Sequence, residues 1–137
     1  MTNHSHRLSP TASIGYIQGG HGTFTLVGKT NRFTFNLGKS DDSPIFVRVL
    51  DNPDNTSDGA YIGFINRNLE LVAGRKGKPD APSFKALSWY LAAWKRDSEL
   101  AAKAEFWHEG TCSVCGRKLT TPESIERGIG PKCLERA

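Results

Sequence analysis

The sequence predicts an α+β protein, in which an antiparallel β-sheet meander is covered by one long helix and followed by a small cysteine-bearing module. Three observations support this prediction. Short alternating apolar runs, separated by turn residues, fill the first half of the chain; one amphipathic stripe at helical spacing follows; and all three cysteines lie near the C-terminus. A chain of 137 residues has room for one core of ordinary size and such a module.

The first part of the sheet is predicted from a hairpin pattern. Residues 23–26 and 32–37 alternate polar and apolar side chains, as half-buried strands do. Residues 28–31, Gly-Lys-Thr-Asn, have the composition of the turn between them. Residues 15–17 are a possible further edge strand. We therefore expect two antiparallel strands here, with a third at the sheet edge.

The rest of the sheet is predicted from three later segments. Residues 44–50 are more continuously apolar, which indicates a central strand with both faces covered. Residues 61–65 and 69–72 form a second hairpin pattern around Asn-Arg-Asn, and residues 51–59, rich in Asp, Asn, Pro and Gly, indicate an exposed loop. The predicted meander has four to six strands.

The covering helix is predicted after a basic connector at residues 74–79. It is expected to run from residue 83 to about 107, with Asp80 or Ser83 as its cap and Pro82 in its first turn. Its apolar stripe recurs at i, i+3, i+7 and i+10, through Phe84, Leu87, Leu91 and Trp94. This stripe is expected to cover the sheet.

The cysteine spacing predicts a structural zinc site. Cys112 and Cys115 form a C-x2-C-G knuckle, a tight turn that aims two thiolates at one point, and Cys133 follows at the spacing of a second ligand pair. A structural zinc takes four ligands, and His108, four residues before Cys112, is the predicted fourth. Other ways to complete the site remain open: Glu109, Glu135, His21, or a water molecule that would make the zinc catalytic.

These predictions divide the chain into three parts. Residues 1–12 are expected to be a flexible tail, residues 13–107 a sheet-plus-helix domain, and residues 108–137 the zinc-binding module.

Residues 112–133 contain the pattern C-x2-C-G-R-x-L-T-x-P-x-S-I-x-x-G-x-G-P-x-C. This pattern resembles the short zinc-binding domain of unassigned function that ends many bacteriophage and bacterial proteins, often with a histidine shortly upstream. Residues 46–50, 53–58 and 107–110 are more loosely similar to longer phage proteins with that tail. The resemblance implies that Cys112, Cys115 and Cys133 bind metal with His108 beside them, in a phage-encoded or prophage-encoded cytoplasmic protein. It implies no established activity.

The charge distribution favours nucleic acid as the partner. The net charge is +4, and the excess lies in residues 67–103, which carry eight basic and four acidic side chains. Aromatic rings such as Trp89 or Tyr90 beside such a surface are typical of proteins that bind single-stranded or non-specific nucleic acid. The residues expected to contact phosphates are Arg75, Lys76, Lys78, Lys85, Lys95 and Arg96.

The sequence also bears on two other classes of function. The alternative is a protein-interaction module that docks on and modulates a host protein, with residues 51–58 as an acidic loop of the interface. An enzyme is not expected, because the sequence has no P-loop, no G-x-S-x-G and no H-E-x-x-H motif. No catalytic residue is therefore predicted. No apolar run of membrane length and no hydrophobic signal core occur, so we expect the cytoplasm of a bacterial host and no membrane partner.

Overall fold

A computed structural model describes residues 7–29, 32–39, 44–50, 60–75, 79–116 and 118–119. In this part of the chain, seven strands form one antiparallel sheet in the order β1-β7-β2-β3-β4-β5-β6. The strands are β1 (Arg7–Leu8), β2 (Thr23–Val27), β3 (Arg32–Gly38), β4 (Ile45–Leu50), β5 (Ala60–Ile65), β6 (Leu71–Val72) and β7 (Glu105–His108). The helices are α1 (Pro10–Gly19), α2 (Pro82–Arg96) and α3 (Ser98–Ala101).

The meander predicted from the sequence is confirmed in β2 to β6. Strands β2 and β3 pair in antiparallel register, with Phe24 opposite Phe35, and β5 pairs with β6, with Ile65 opposite Leu71. Between β4 and β5 the register shifts at Val47 and Arg48. The predicted loop at residues 51–59 lies outside the described residues.

The single long covering helix was predicted wrongly. Helix α2 ends at Arg96 because the next residue, Asp97, adopts an extended backbone with φ −167°. The Asp97 side chain then accepts the Glu99 N–H at 3.0 Å and so caps the separate short helix α3. The sheet is thus packed against short helices, and no long helix covers it in the part of the chain described.

The end of the predicted helix is instead the strand β7. Its residues alternate between the two faces of the sheet, with Phe106 and His108 buried and Glu105 and Trp107 partly exposed. β7 pairs with β1 on one side and β2 on the other, which places it inside the sheet. The sequence interpretation had assigned residues 105–107 to the end of the helix, although residues 105–108 alternate as a strand does.

Helix α1 was also missed, and the edge strand predicted at residues 15–17 is wrong because these residues lie within it. The Ser9 hydroxyl accepts the Ala12 N–H at 3.2 Å, and Pro10 occupies the first turn. Both are standard N-terminal helix signals. β1 and α1 together occupy residues 7–19, of which 7–12 fall in the segment predicted to be a tail.

The core lies between the helices and one face of the sheet. The Phe106 ring stacks on Phe24 at 4.5 Å between centroids and contacts Tyr16 of α1 and Tyr90 of α2, each at 5.9 Å. The Tyr90 hydroxyl hydrogen-bonds the Ser13 hydroxyl at 2.6 Å, which ties α2 to α1. None of the helices in the described part of the chain combines the length and hydropathy that a bilayer span requires.

Candidate functional site

The segment Thr111 to Gly116 forms a tight turn around Cys112. The Cys112 Sγ accepts the Val114 N–H at 3.4 Å, and the Cys112 carbonyl accepts the Gly116 N–H at 2.9 Å. Gly116 adopts φ +76°, a left-handed conformation that glycine takes without steric cost. The backbone thus folds back over the sulfur, as the C-x2-C-G spacing predicts for a knuckle.

His108 precedes this turn, at the end of β7. Its side chain is fully buried, and its Nδ1 accepts the Gly110 N–H at 3.1 Å. In a neutral imidazole only one ring nitrogen has a free lone pair, and in His108 the Nδ1 lone pair accepts the Gly110 N–H while Nε2 carries the proton. His108 could therefore bind zinc through Nδ1 only if the metal replaced this hydrogen bond.

Tyr16 of α1 connects His108 with the cysteine turn. Its ring stacks on the His108 ring at 5.6 Å, and its hydroxyl donates to the Thr111 carbonyl at 2.8 Å. Burial, with smaller contributions from the nearby charges of Cys112 and Glu109, raises the pKa of Tyr16 to about 12, although the hydrogen bonds of its hydroxyl with Thr111 and Thr23 act in the opposite direction. His108 and Cys112 thus both lie beside one tyrosine ring.

The remaining predicted metal ligands are placed less completely. Cys115 is exposed in the turn, whereas Cys133 lies outside the described residues, as does the alternative ligand Glu135. Among the side chains that the structure describes, no three of the His, Cys, Asp and Glu type gather as a metal-binding group. The thiol turn fits a zinc ion in its chemistry, whereas the Nδ1 lone pair of His108 already accepts the Gly110 N–H, and three described ligands do not complete the site.

The knuckle docks against the turn that follows α1. The His21 N–H donates to the Ser113 carbonyl at 2.8 Å, and Leu37 of β3 donates to the Gly22 carbonyl at 2.9 Å. The backbone of His21, an alternative zinc ligand, is therefore in direct contact with the knuckle. The segment 19–22 connects the knuckle to the end of β3.

Replacing Gly19 by alanine is expected to destabilise this docking. An added Cβ at Gly19 would lie 2.5 Å from the Ser113 carbonyl oxygen, so the backbone of the knuckle must move. We expect a loss of about 1–3 kcal/mol in the free energy of unfolding, measured by urea denaturation. Gly15→Ala is the matched control on the same helix, since nothing lies within 4 Å of its Cβ position. It should be neutral or stabilising, and equal effects of the two variants would contradict the close approach at Gly19.

The structure describes four of the six predicted phosphate-contacting residues, and these are distributed over α2 and the turn after β6. Lys85, Lys95 and Arg96 are exposed on α2, and Arg75 is exposed in the turn after β6. Lys85 and Arg96 share a face of α2 but are about 16 Å apart along it, at about 1.5 Å per residue. The Lys95 ammonium donates to the Asn68 carbonyl at 3.1 Å. Lys76 and Lys78 lie outside the described residues.

The two rings predicted as base-stacking candidates differ in exposure. Trp89 is 44% exposed, whereas Tyr90 is 1% exposed and belongs to the core. Burial raises the pKa of Tyr90, and its hydrogen bond to Ser13 partly offsets that effect. Only Trp89 of this pair is available on the surface.

A second aromatic and basic surface, which the sequence interpretation missed, lies on the face of the sheet opposite the helices. Phe46 of β4 is 40% exposed, and its ring centroid lies 6.2 Å from Tyr61 and 6.5 Å from Phe64. Arg48, two residues along β4, is exposed on the same face. A depression of about 390 Å³ here is lined by Asn36, Gly38, Lys39, Phe46, Arg48 and Tyr61. We call these six residues the sheet-face site.

A signal for this site was present in the sequence. In residues 45–50 the burial pattern alternates at Ile45, Phe46, Val47 and Arg48, with the even-numbered residues exposed. An arginine in an otherwise apolar run marks the outward face of a strand, because a charged side chain is rarely buried without a partner. The strand was instead predicted to be covered on both faces, and this prediction is wrong for Phe46 and Arg48.

Together the fold and site define a small antiparallel-sheet protein with a C-x2-C knuckle docked beside the turn that follows α1. Residues 102–137 match a family described as a family of unknown function, DUF6011. The match covers β7 and the knuckle and agrees with the interpretation of this segment as a domain of unassigned function. No curated protein and no solved structure matches the chain significantly.

Proposed function

We propose that this protein binds single-stranded nucleic acid, without strong sequence preference, on the sheet-face site. The observation that carries the proposal is the exposed Phe46 ring, with Tyr61 beside it and Arg48 on the same strand face. Aromatic side chains on an exposed β-sheet stack on unpaired bases, and neighbouring cations hold the backbone phosphates. A duplex keeps its base faces stacked inside the helix, so such a surface favours single strands.

Five of the six residues of the sheet-face site have a role in this proposal. Phe46 and Tyr61 stack on bases, which is tolerant of sequence because every base has a π-face. Arg48 and Lys39 contact phosphates, and binding is therefore expected to weaken as salt rises. The Asn36 amide donates to the Thr23 hydroxyl at 2.9 Å, which fixes its orientation at the floor of the site.

We also propose that a structural Zn²⁺ holds the knuckle, with Cys112, Cys115, Cys133 and His108 as its ligands. Zinc would supply folding free energy to a short segment that has few apolar residues to bury. The support comes from the N–H to sulfur bond at Cys112, the position of His108 just before the knuckle and the resemblance to zinc-binding phage domains. In the same proposal the protein is phage-type and acts in the cytoplasm of a bacterial host.

The knuckle has a structural route to the sheet-face site. The Ser113 carbonyl accepts the His21 N–H. The preceding residue, Gly20, lies against Lys39, because a Cβ added at Gly20 would be 3.0 Å from the Lys39 side chain. Lys39 lines the sheet-face site. We infer that the zinc module helps to position Lys39 at the edge of the sheet-face site and does not itself contact nucleic acid.

The test is titration of a fluorescently labelled oligo-dT with the full chain at low and moderate salt, followed by anisotropy. Phe46→Ala is expected to weaken binding about fivefold to 150-fold, because loss of one base-stacking ring costs about 1–3 kcal/mol. Arg48→Glu should weaken binding as well and reduce its salt dependence. Circular dichroism would establish that both variants remain folded.

Arg96→Glu is the matched control, since it makes the same charge change at an exposed arginine on α2. It should bind oligo-dT like the wild type. Loss of binding in Arg96→Glu with normal binding in Arg48→Glu would move the interface to α2. If the wild type does not bind oligo-dT at low salt, the proposed function is rejected.

A further inference from the structure

A cleft lies on the helix-covered side of the sheet, between α2 and the end of the β2–β3 hairpin. It has a volume of about 300 Å³, at the lower end of the range for ligand pockets. Its lining residues are Leu26, Gly28, Lys29, Phe33, Ala86, Trp89, Lys103 and Ala104. We call this the Trp89 cleft.

The walls of the Trp89 cleft are apolar. Leu26 and Phe33 come from the sheet, and Ala86 and Trp89 come from α2. A nucleobase inserted between such walls would lose the hydrogen bonds that its edges make to water, at a cost of about 1–3 kcal/mol for each unsatisfied group. An aliphatic or aromatic side chain has no such groups, so the interior suits an apolar side chain better than a base.

The charge at the cleft is basic. Lys29 and Lys103 are exposed lining residues, and no acidic residue belongs to the lining set. Lys85, also exposed, lies about one helical turn before Trp89 on α2. An occupant with carboxylates beside its apolar group matches this distribution.

Trp89 is an unusual residue to leave exposed. Its indole is 44% exposed at the cleft, and tryptophan is strongly enriched among the residues that dominate protein interfaces. A large ring that is half covered by its own chain offers a partner a preformed apolar contact with little loss of side-chain entropy.

From these observations we propose that the Trp89 cleft binds a short acidic segment of a partner protein, which inserts one bulky apolar side chain between Trp89 and Phe33 and places carboxylates near Lys29 and Lys103. The cleft and the sheet-face site lie on opposite faces of the sheet. Residues Phe33 and Asn36 of β3 point to these two faces, as alternation requires. The inference is therefore independent of nucleic-acid binding and goes beyond it.

The experiment uses a fluorescein-labelled synthetic peptide in which aspartates and glutamates flank a central Leu-Phe pair, titrated with the full chain at low salt. We expect saturable binding that weakens about tenfold or more in Trp89→Ala and in Lys103→Glu. A peptide with Ser-Ser in place of Leu-Phe, and one with lysines in place of the acids, should each bind much more weakly. Both substitutions are at exposed positions, and circular dichroism would establish that the variants are folded.

Arg48→Glu is the matched control for charge, because it changes the opposite face of the sheet. It should leave peptide binding unchanged. The proposal is overturned if the peptide shows no saturable binding, or if Trp89→Ala and Lys103→Glu bind it like the wild type. It is also overturned if oligo-dT displaces the peptide and itself loses affinity in Trp89→Ala, since the cleft would then belong to the nucleic-acid interface.

Discussion

Treatment with a zinc chelator is expected to unfold the knuckle while the seven-stranded sheet stays folded. Structural zinc contributes about 10–16 kcal/mol of apparent binding free energy in zinc-finger peptides, which sets the upper limit for the loss here. The sheet has its own core, with Phe24, Phe35 and Phe106 almost fully buried, and does not need the metal for that burial. The loss should therefore be local to residues near Cys112.

Metal analysis and hydrogen exchange would measure this effect. The purified chain should contain about one Zn²⁺ per molecule, and chelation should greatly accelerate exchange of the Val114 and Gly116 amides, which bond to Cys112. Exchange at β3 should change little. Co²⁺ in place of zinc should give the absorption bands of a tetrahedral thiolate site.

Cys112→Ser should abolish metal binding, and Val114→Ser is its control in the same turn. Val114 is 39% exposed and offers no metal ligand, so that variant should keep the metal. His108→Ala should lower zinc affinity in competition with a chelator. Unchanged affinity in this variant would assign the fourth position to another ligand, and a chain that binds no zinc at all would disprove the metal proposal.

Phe106→Ala is expected to cost about 3–5 kcal/mol in the free energy of unfolding. The ring is 1% exposed and is the point where β2, α1 and α2 meet, through Phe24, Tyr16 and Tyr90. Its removal leaves a cavity between three elements that are already closely packed, and they cannot all move inward to fill it. Urea denaturation at neutral pH would measure the loss.

Trp107→Ala is the matched control for this prediction. Trp107 is the next residue of β7, faces the other side of the sheet and is only half-buried, with its indole N–H donating to Glu105 at 3.0 Å. The larger side chain should therefore cost less to remove than Phe106. An equal or greater loss in Trp107→Ala would mean that the core is not on the helix side of β7.

The central part of the fold was predictable from the sequence because its signals are local. The β2–β3 hairpin has alternating strands on both sides of a turn segment, and the predicted segments 23–26 and 32–37 match β2 and β3 closely. Alternation and turn composition act within a few residues, so they are visible without knowledge of the tertiary structure.

The ends of the sheet could not be predicted in the same way. β7 is four residues long, and its Phe106 and His108 are buried only because β1 and β2 flank it. A four-residue apolar alternation that directly follows a helix does not by itself distinguish a strand from another helical turn. Similarly, Gly15 within α1 and Gly19 at its end lower the intrinsic helix propensity of this segment. The helix is stabilised by the tertiary contacts of its buried Ile14 and Ile17, which the local sequence does not reveal.

The candidate site was predicted in part. Sequence spacing indicated the turn at Cys112 and Cys115 because the C-x2-C-G pattern constrains the backbone locally. The sheet-face site combines β3, β4 and β5, and the placement of Arg48 beside Tyr61 depends on the register shift between β4 and β5. Such a register is set by long-range pairing, so the charge distribution along the sequence did not indicate this site.

The position of β7 also determines when the protein can complete its fold. Because β7 lies between β1 and β2, these two strands do not pair with each other. The pairing of β1, and the pairing of β2 on this side, can form only after β7, which is synthesised much later. The Thr23 N–H, for example, donates to a hydroxyl 88 residues away, at Thr111. Pairings of such sequence separation carry a large loop-closure entropy and form slowly. On the ribosome, the β2–β6 meander would therefore form first, with the exposed edge of β2 held open until β7 emerges.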